Sequence, residues 1–109
     1  MQVFGASYAR LRAIASSKPV MIGETASADN GGDKGAWIVS ALTVEIPQAF
    51  PAVKALTWFN QDKSAVGEQD WRMNSSPGAL AGALAALTAT YQPPPVVPPV
   101  VARYGAALP

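Results

Sequence analysis

The chain has 109 residues, half of them hydrophobic and only 14% charged, which is enough for one small core and too apolar for a chain disordered throughout. Lys plus Arg number 8 against 7 for Asp plus Glu, a net charge of +1, and the basic residues are scattered, which argues against a nucleic-acid or anionic-membrane surface. With no Cys and no His, thiol nucleophiles, disulfides, His-based metal sites and Ser-His pairs are excluded; any acid-base chemistry falls to carboxylates, and no cofactor or metal is expected.

Phe4, Tyr8, Leu11 and Ala15 recur at helical spacing, predicting an amphipathic helix over roughly 3–16 that ends before Pro19. The run from Pro19 to Gly23 has no polar alternation, the mark of a strand buried on both faces of a parallel sheet. Asp33 follows a Gly-rich loop and is a suitable N-cap for a helix carrying Trp37, Ile38, Ala41, Leu42 and Ile46. Pro47 and Pro51 are expected to stop that helix before a second strand over 53–59. A polar loop then runs from Asn60 to Asn74. Ser75-Ser76-Pro77 opens a last helix, hydroxyl cap before proline, with Leu80, Leu84 and Leu87 as its expected packing stripe. From Tyr91 the composition changes: five of the ten prolines lie between Gln92 and Val101. Residues 91–109 read as a Pro/Val-rich linker or a disordered tail, and residues 1–90 as the structured part. No apolar stretch is long enough to span a bilayer, and Met1-Gln-Val-Phe-Gly5 lacks the regions of a signal peptide.

Alternating helix and strand implies parallel strands joined by helical crossovers. Two such strands leave an unpaired edge, so the chain is expected to be a slice of a larger barrel or sheet, and poorly folded and inactive alone. Glu24 is the residue most in need of explanation. It ends the apolar run Pro19-Val-Met-Ile-Gly23, where a carboxylate is unfavourable unless it is paired or put to use. A catalytic group at a strand end and a carboxylate paired with an Arg both satisfy that requirement.

Four ordered blocks carry a family resemblance: Lys18-Pro-Val-Met-Ile-Gly-Glu-Thr-Ala-Ser27, Gly32-Asp-Lys-Gly-Ala-Trp-Ile38, Phe50-Pro-Ala-Val-Lys-Ala-Leu-Thr-Trp-Phe-Asn60 and Asp70-Trp-Arg-Met-Asn-Ser-Ser-Pro77. Together with Tyr8-Ala-Arg-Leu-Arg12 they resemble the C-terminal quarter of glycoside hydrolase family 26, chiefly endo-β-1,4-mannanases. The resemblance implies an α/β fold, the C-terminal fragment of a (β/α)8 TIM barrel holding helix 6, strand 7, helix 7, strand 8 and helix 8. It implies that Glu24 is the catalytic nucleophile of a retaining hydrolase. The resemblance also implies that the acid/base Glu, which in the family follows the fourth strand, is missing from this chain; Asp62, Glu68 and Asp70 are loop carboxylates, which are usually solvated. The substrate implied is β-mannan or a related β-glycan, mixed-linkage glucan or β-1,3-xylan, met outside the cell by the full-length protein, with a further module possible beyond the Pro-rich segment. The chain has Thr25-Ala26-Ser27 where Thr-Gly is the more usual continuation, a change in loop freedom more than in chemistry.

Strand parity puts Lys54, Leu56, Trp58 and Asn60 on one face. Trp58 is then either a platform for a pyranose ring, as the resemblance implies, or a core tryptophan under a helix. Trp37 is expected to pack. Trp71 either lines an outer sugar site or pins its loop, and Asn60 and Asn74 are candidates for bonds to sugar hydroxyls. A non-catalytic sugar-binding relative, and a small α/β interaction module that dimerises, are the other functions compatible with the sequence.

Overall fold

The structure, a computed structural model, describes residues 2–90; the expected linker or tail at 91–109 lies outside the described residues. Helix α1 (Gln2–Ile14) is followed by strand β1 (Val20–Thr25). Next comes one continuous helical body made of α2 (Lys34–Ser40), a wider π-type turn (Ala41–Glu45) and α3 (Ile46–Ala49). Strand β2 (Val53–Trp58), a short 3-10 turn (Ser64–Val66) and α4 (Pro77–Thr90) complete it. Asp33 caps α2 as its position suggests, its Oδ1 accepting from Ala36 N at 2.8 Å, and Ser76 Oγ accepts from Ala79 N at 3.1 Å ahead of Pro77.

Pro47 does not stop the helix, contrary to expectation. The Ile46 N–H reaches back five residues to the Ala41 carbonyl, and this widened turn puts Pro47 in the first turn of α3, where no N–H is required. The helix ends at Phe50, whose ring lies edge-on to Phe4 at 4.9 Å and Tyr8 at 5.0 Å. Tyr8 also accepts the Ala52 N–H at 3.0 Å, which ties α1 to the start of β2.

The strands are parallel, with Val20 opposite Val53, Ile22 opposite Leu56 and Thr25 opposite Trp58, and with irregularities between Val20 and Met21 and between Ile22 and Thr25. The sheet overturns the expected fold. The described residues form a two-stranded parallel sheet with three helical bodies, not the C-terminal fragment of a (β/α)8 TIM barrel. β1 is not buried on both faces, and Met21 is 59% exposed. The closest packing is between helices rather than helix on sheet.

That contact explains why the leucine stripe was the wrong one. Ala79, Ala83 and Ala86 of α4 are buried, whereas Leu80, Leu84 and Leu87 are exposed. Gly35 of α2 lies against the Gly78 backbone, and Gly82 against that of Gly35, so closely that a Cβ on either would overlap main-chain atoms. Hydrophobicity favours the leucines, but only small residues permit this approach. The core that results centres on Ile38, Ala83 and Ala86, with Val39, Leu42, Trp58 and Met73 packed around it. No helix among the described residues is long and apolar enough to cross a membrane.

Gly35→Ala is therefore expected to destabilise the chain although alanine favours helix by about 0.5–1 kcal/mol. Overpacking against immobile backbone costs roughly 1–3 kcal/mol and outweighs that gain. Gly5→Ala in α1, where a Cβ meets nothing within 4 Å, is expected to stabilise by about 0.5–1 kcal/mol. Urea unfolding of the two variants, moving in opposite directions, checks this.

Candidate active site

The parallel pairing places the ends of β1 and β2 side by side, and Phe59 N donates to Thr25 O at 2.8 Å just past them. Glu24, the penultimate residue of β1, is exposed. It opens into a cleft of about 390 Å³ walled by Thr25, Phe59, Lys63, Glu68 and Trp71. Lys63 Nζ stands 5.7 Å from the Phe59 ring centre and pairs with Glu68 Oε1 at 3.3 Å. Neither that pair nor the other ion pairs among the described residues involve Glu24.

The far wall of the cleft belongs to the loop between β2 and α4, which is held at several points. Trp58 Nε1 donates to Trp71 O at 2.7 Å, and Asn60 Oδ1 accepts from Met73 N at 2.8 Å. The main chain forms an antiparallel bridge at Asp62 and Asp70, and the Arg72 guanidinium joins their carboxylates. Its Nη2 lies 3.0 Å from Asp62 Oδ2 and 2.6 Å from Asp70 Oδ2, and its Nε donates to Asp70 Oδ1 at 2.9 Å.

Beneath the loop lies Lys34, 2% exposed. Its ammonium has three donors and meets three acceptors: Asp70 O at 3.2 Å, Arg72 O at 2.8 Å and Ser75 Oγ at 2.9 Å. Ser75 Oγ in turn donates to Asp29 Oδ2 at 2.5 Å, and Ser76 Oγ to Asp29 Oδ1 at 3.1 Å. Burial pushes the Lys34 amine below the ordinary lysine value, opposed by the nearby Asp29 and Asp70 charges.

Of the residues singled out from sequence, the structure brings Glu24 and Trp71 into one cleft. Trp58 does not line it: half-buried, it packs on the Ile38 core and meets Trp37 edge to face at 6.2 Å. The Asn60 amide oxygen is engaged by the loop backbone, and Asn74 is exposed. Trp37, expected to pack, is 44% exposed. Lys34 was missed altogether. One signal was available: a lysine in the first turn of a helix opposes the helix dipole, so it needs acceptors elsewhere.

Among the described residues no cluster of three or more carboxylates has a geometry that holds a metal ion. Asp70 is held down from 3.8 to about 2, first by its side-chain hydrogen bond from Arg72. A depressed carboxylate stabilises the fold above its unfolded value, and the contribution is lost as pH falls from 3.8 through about 2. Side-chain carbon NMR titration is expected to show that low midpoint, and Arg72→Gln to return it toward 3.8; a midpoint unchanged by the substitution would contradict the pairing.

No known family's sequence profile matches the chain. It is similar to a segment of Endoglucanase H of Acetivibrio thermocellus, 45% identical over 80 residues. That alignment takes in 73% of this chain and 8% of the relative, so the chain spans less than a tenth of that protein's length. The similarity supports a relationship to a glycoside hydrolase without specifying family 26 or mannan.

Proposed function

We propose that this chain contributes the nucleophile to a retaining hydrolase that cuts internal bonds of a β-glycan, with Glu24 as that nucleophile. The observation that carries the reading is an exposed strand-end carboxylate in an open cleft with aromatic walls, in a chain similar to part of an endoglucanase. In a double displacement Glu24 attacks the anomeric carbon and forms a glycosyl ester as the leaving oxygen takes a proton from a second carboxyl group about 5 Å away; water then cleaves the ester.

Glu68 shares the cleft but is tied to Lys63, and Asp62 and Asp70 are tied to Arg72. The acid/base is assigned, as the family resemblance implies, to a part of the protein beyond these 109 residues. Trp71 is the residue best placed to stack on a pyranose ring. Trp58 and Asn60 serve substrate binding by holding the Trp71 loop. Mannan, mixed-linkage glucan and β-1,3-xylan all fit such a site, and a polymeric substrate of this kind is met outside the cell. A non-catalytic sugar-binding role is the second reading, favoured by the absence of a free second carboxylate among the described cleft residues.

The test is a 2-deoxy-2-fluoro-β-glycosyl fluoride applied to the complete parent protein, with mapping of the labelled peptide. A label on Glu24 is expected. Glu24→Gln is expected to abolish labelling and to lower kcat by a factor on the order of 10⁴ or more, the scale on which a covalent nucleophile acts. A label elsewhere, or a product of inverted anomeric configuration, would overturn the assignment. Sugar binding without turnover or label would favour the second reading.

A further inference from the structure

Two loops extend from the cleft that holds Glu24 and Trp71, and one serine joins them. The segment leaving β1 brings Asp29 to the start of α4, where its carboxylate accepts from Ser75 Oγ at 2.5 Å and from Ser76 Oγ at 3.1 Å. Ser75 Oγ itself accepts from Lys34 Nζ at 2.9 Å. The Ser75 N–H donates to Arg72 O at 3.2 Å, one residue past Trp71. An ammonium can only donate and a hydroxyl has a single proton, so the Ser75 oxygen accepts from Lys34 and its proton goes to Asp29. The direction of each bond in this row of ammonium, hydroxyl and carboxylate is therefore fixed. Both of its ends are charged, the arrangement in which such bonds are strongest.

We infer that Ser75 is a positioning residue for the reaction: through Asp29 and Lys34 it sets the separation of Glu24 from Trp71. That separation aligns the carboxylate with the anomeric carbon of a ring stacked on the indole. The inference rests on the reading of Glu24 as nucleophile and extends it to a residue outside the cleft, since neither Ser75 nor its two partners line it. Among the described residues, Asp29 supplies the only side-chain hydrogen bonds between the segment leaving β1 and the residues just before α4. Removing the row leaves the two loops joined near the cleft by the main-chain bond from Phe59 N to Thr25 O. A shift of about 1 Å at an attacking group is enough to cost on the order of 10²-fold in rate, so a bond this far from the sugar still reaches the chemistry.

The test is steady-state kinetics of the complete parent protein on soluble mixed-linkage β-glucan and β-mannan, with melting temperatures and labelling by the fluoroglycoside described above. Ser75→Ala is expected to lower kcat by about 10- to 100-fold and to change KM by less than about threefold, because alignment and not binding is lost. Ser75→Thr keeps the hydroxyl and is expected to retain most of the activity. Asp29→Asn, at an exposed position, is expected to lower kcat in the same direction and carries the test if Ser75→Ala does not fold. The double variant is expected to be no slower than Ser75→Ala, since both changes break one row. Unchanged kcat with a lowered melting temperature would make Ser75 a stabilising residue only and overturn the inference. Equal losses in Ser75→Ala and Ser75→Thr, or independent losses that multiply in the double variant, would also overturn it. A label on Glu24 of the unaltered protein would in each of those cases leave the nucleophile in place. A label elsewhere, or neither label nor turnover, in the unaltered protein would overturn both readings.

Discussion

The arrangement of this chain depends on one buried ammonium. Lys34 is taken out of water at the start of α2, and a charge so placed costs several kcal/mol unless its donors are matched. They are matched: two main-chain carbonyls of the loop before α4 and the Ser75 hydroxyl take all three protons. Asp29, reached through Ser75 and Ser76, brings the loop after β1 into the same network. One side chain thus joins three segments distant in sequence. It can do so only because Gly35, its neighbour, lets α2 lie against the backbone of α4.

The candidate site inherits its shape from that network. A two-stranded sheet presents Glu24 at an open end, and little in β1 and β2 alone would form a cleft there. The opposite wall is loop, which ordinarily has many conformations. Here Lys34 fixes it from below, Arg72 ties Asp70 to Asp62 within it, and Trp58 and Asn60 fasten it from the strand side. Trp71 is held at the cleft by its own carbonyl, so its ring is presented at small entropic cost on binding. Trp58 braces α2 as well, meeting Trp37 edge to face, so one indole supports both that helix and the Trp71 loop.

What the sequence made legible was local chemistry. The Asp33 and Ser76 caps and the parallel strands follow from spacing and residue type within a few positions. The errors all involve tertiary partners. Leucine outranks alanine in any hydrophobic stripe, yet α4 buries its alanines, because contact distance at Gly35 and Gly82 decided the face. Pro47 is a helix breaker in a regular helix and not after a π-type turn. For Trp58 the sequence left open a sugar platform or a core tryptophan; the structure engages its indole N–H with Trp71 O, a partner that periodicity cannot see. The barrel expectation failed for a related reason: family-like blocks and alternating elements describe strand order, whereas these residues pack helix on helix beside two strands.

The central claim, that Lys34 fixes the wall of the Glu24 cleft, is tested most directly by amide hydrogen exchange on the chain and on Lys34→Met, which keeps the side-chain length and removes the donors. Leaving the loop carbonyls unmatched costs about 1–3 kcal/mol, so amides across residues 60–76 are expected to exchange roughly 5 to 150 times faster, with those of β1 and β2 little changed. Unchanged exchange across 60–76, or an equal acceleration along the whole chain, would contradict it.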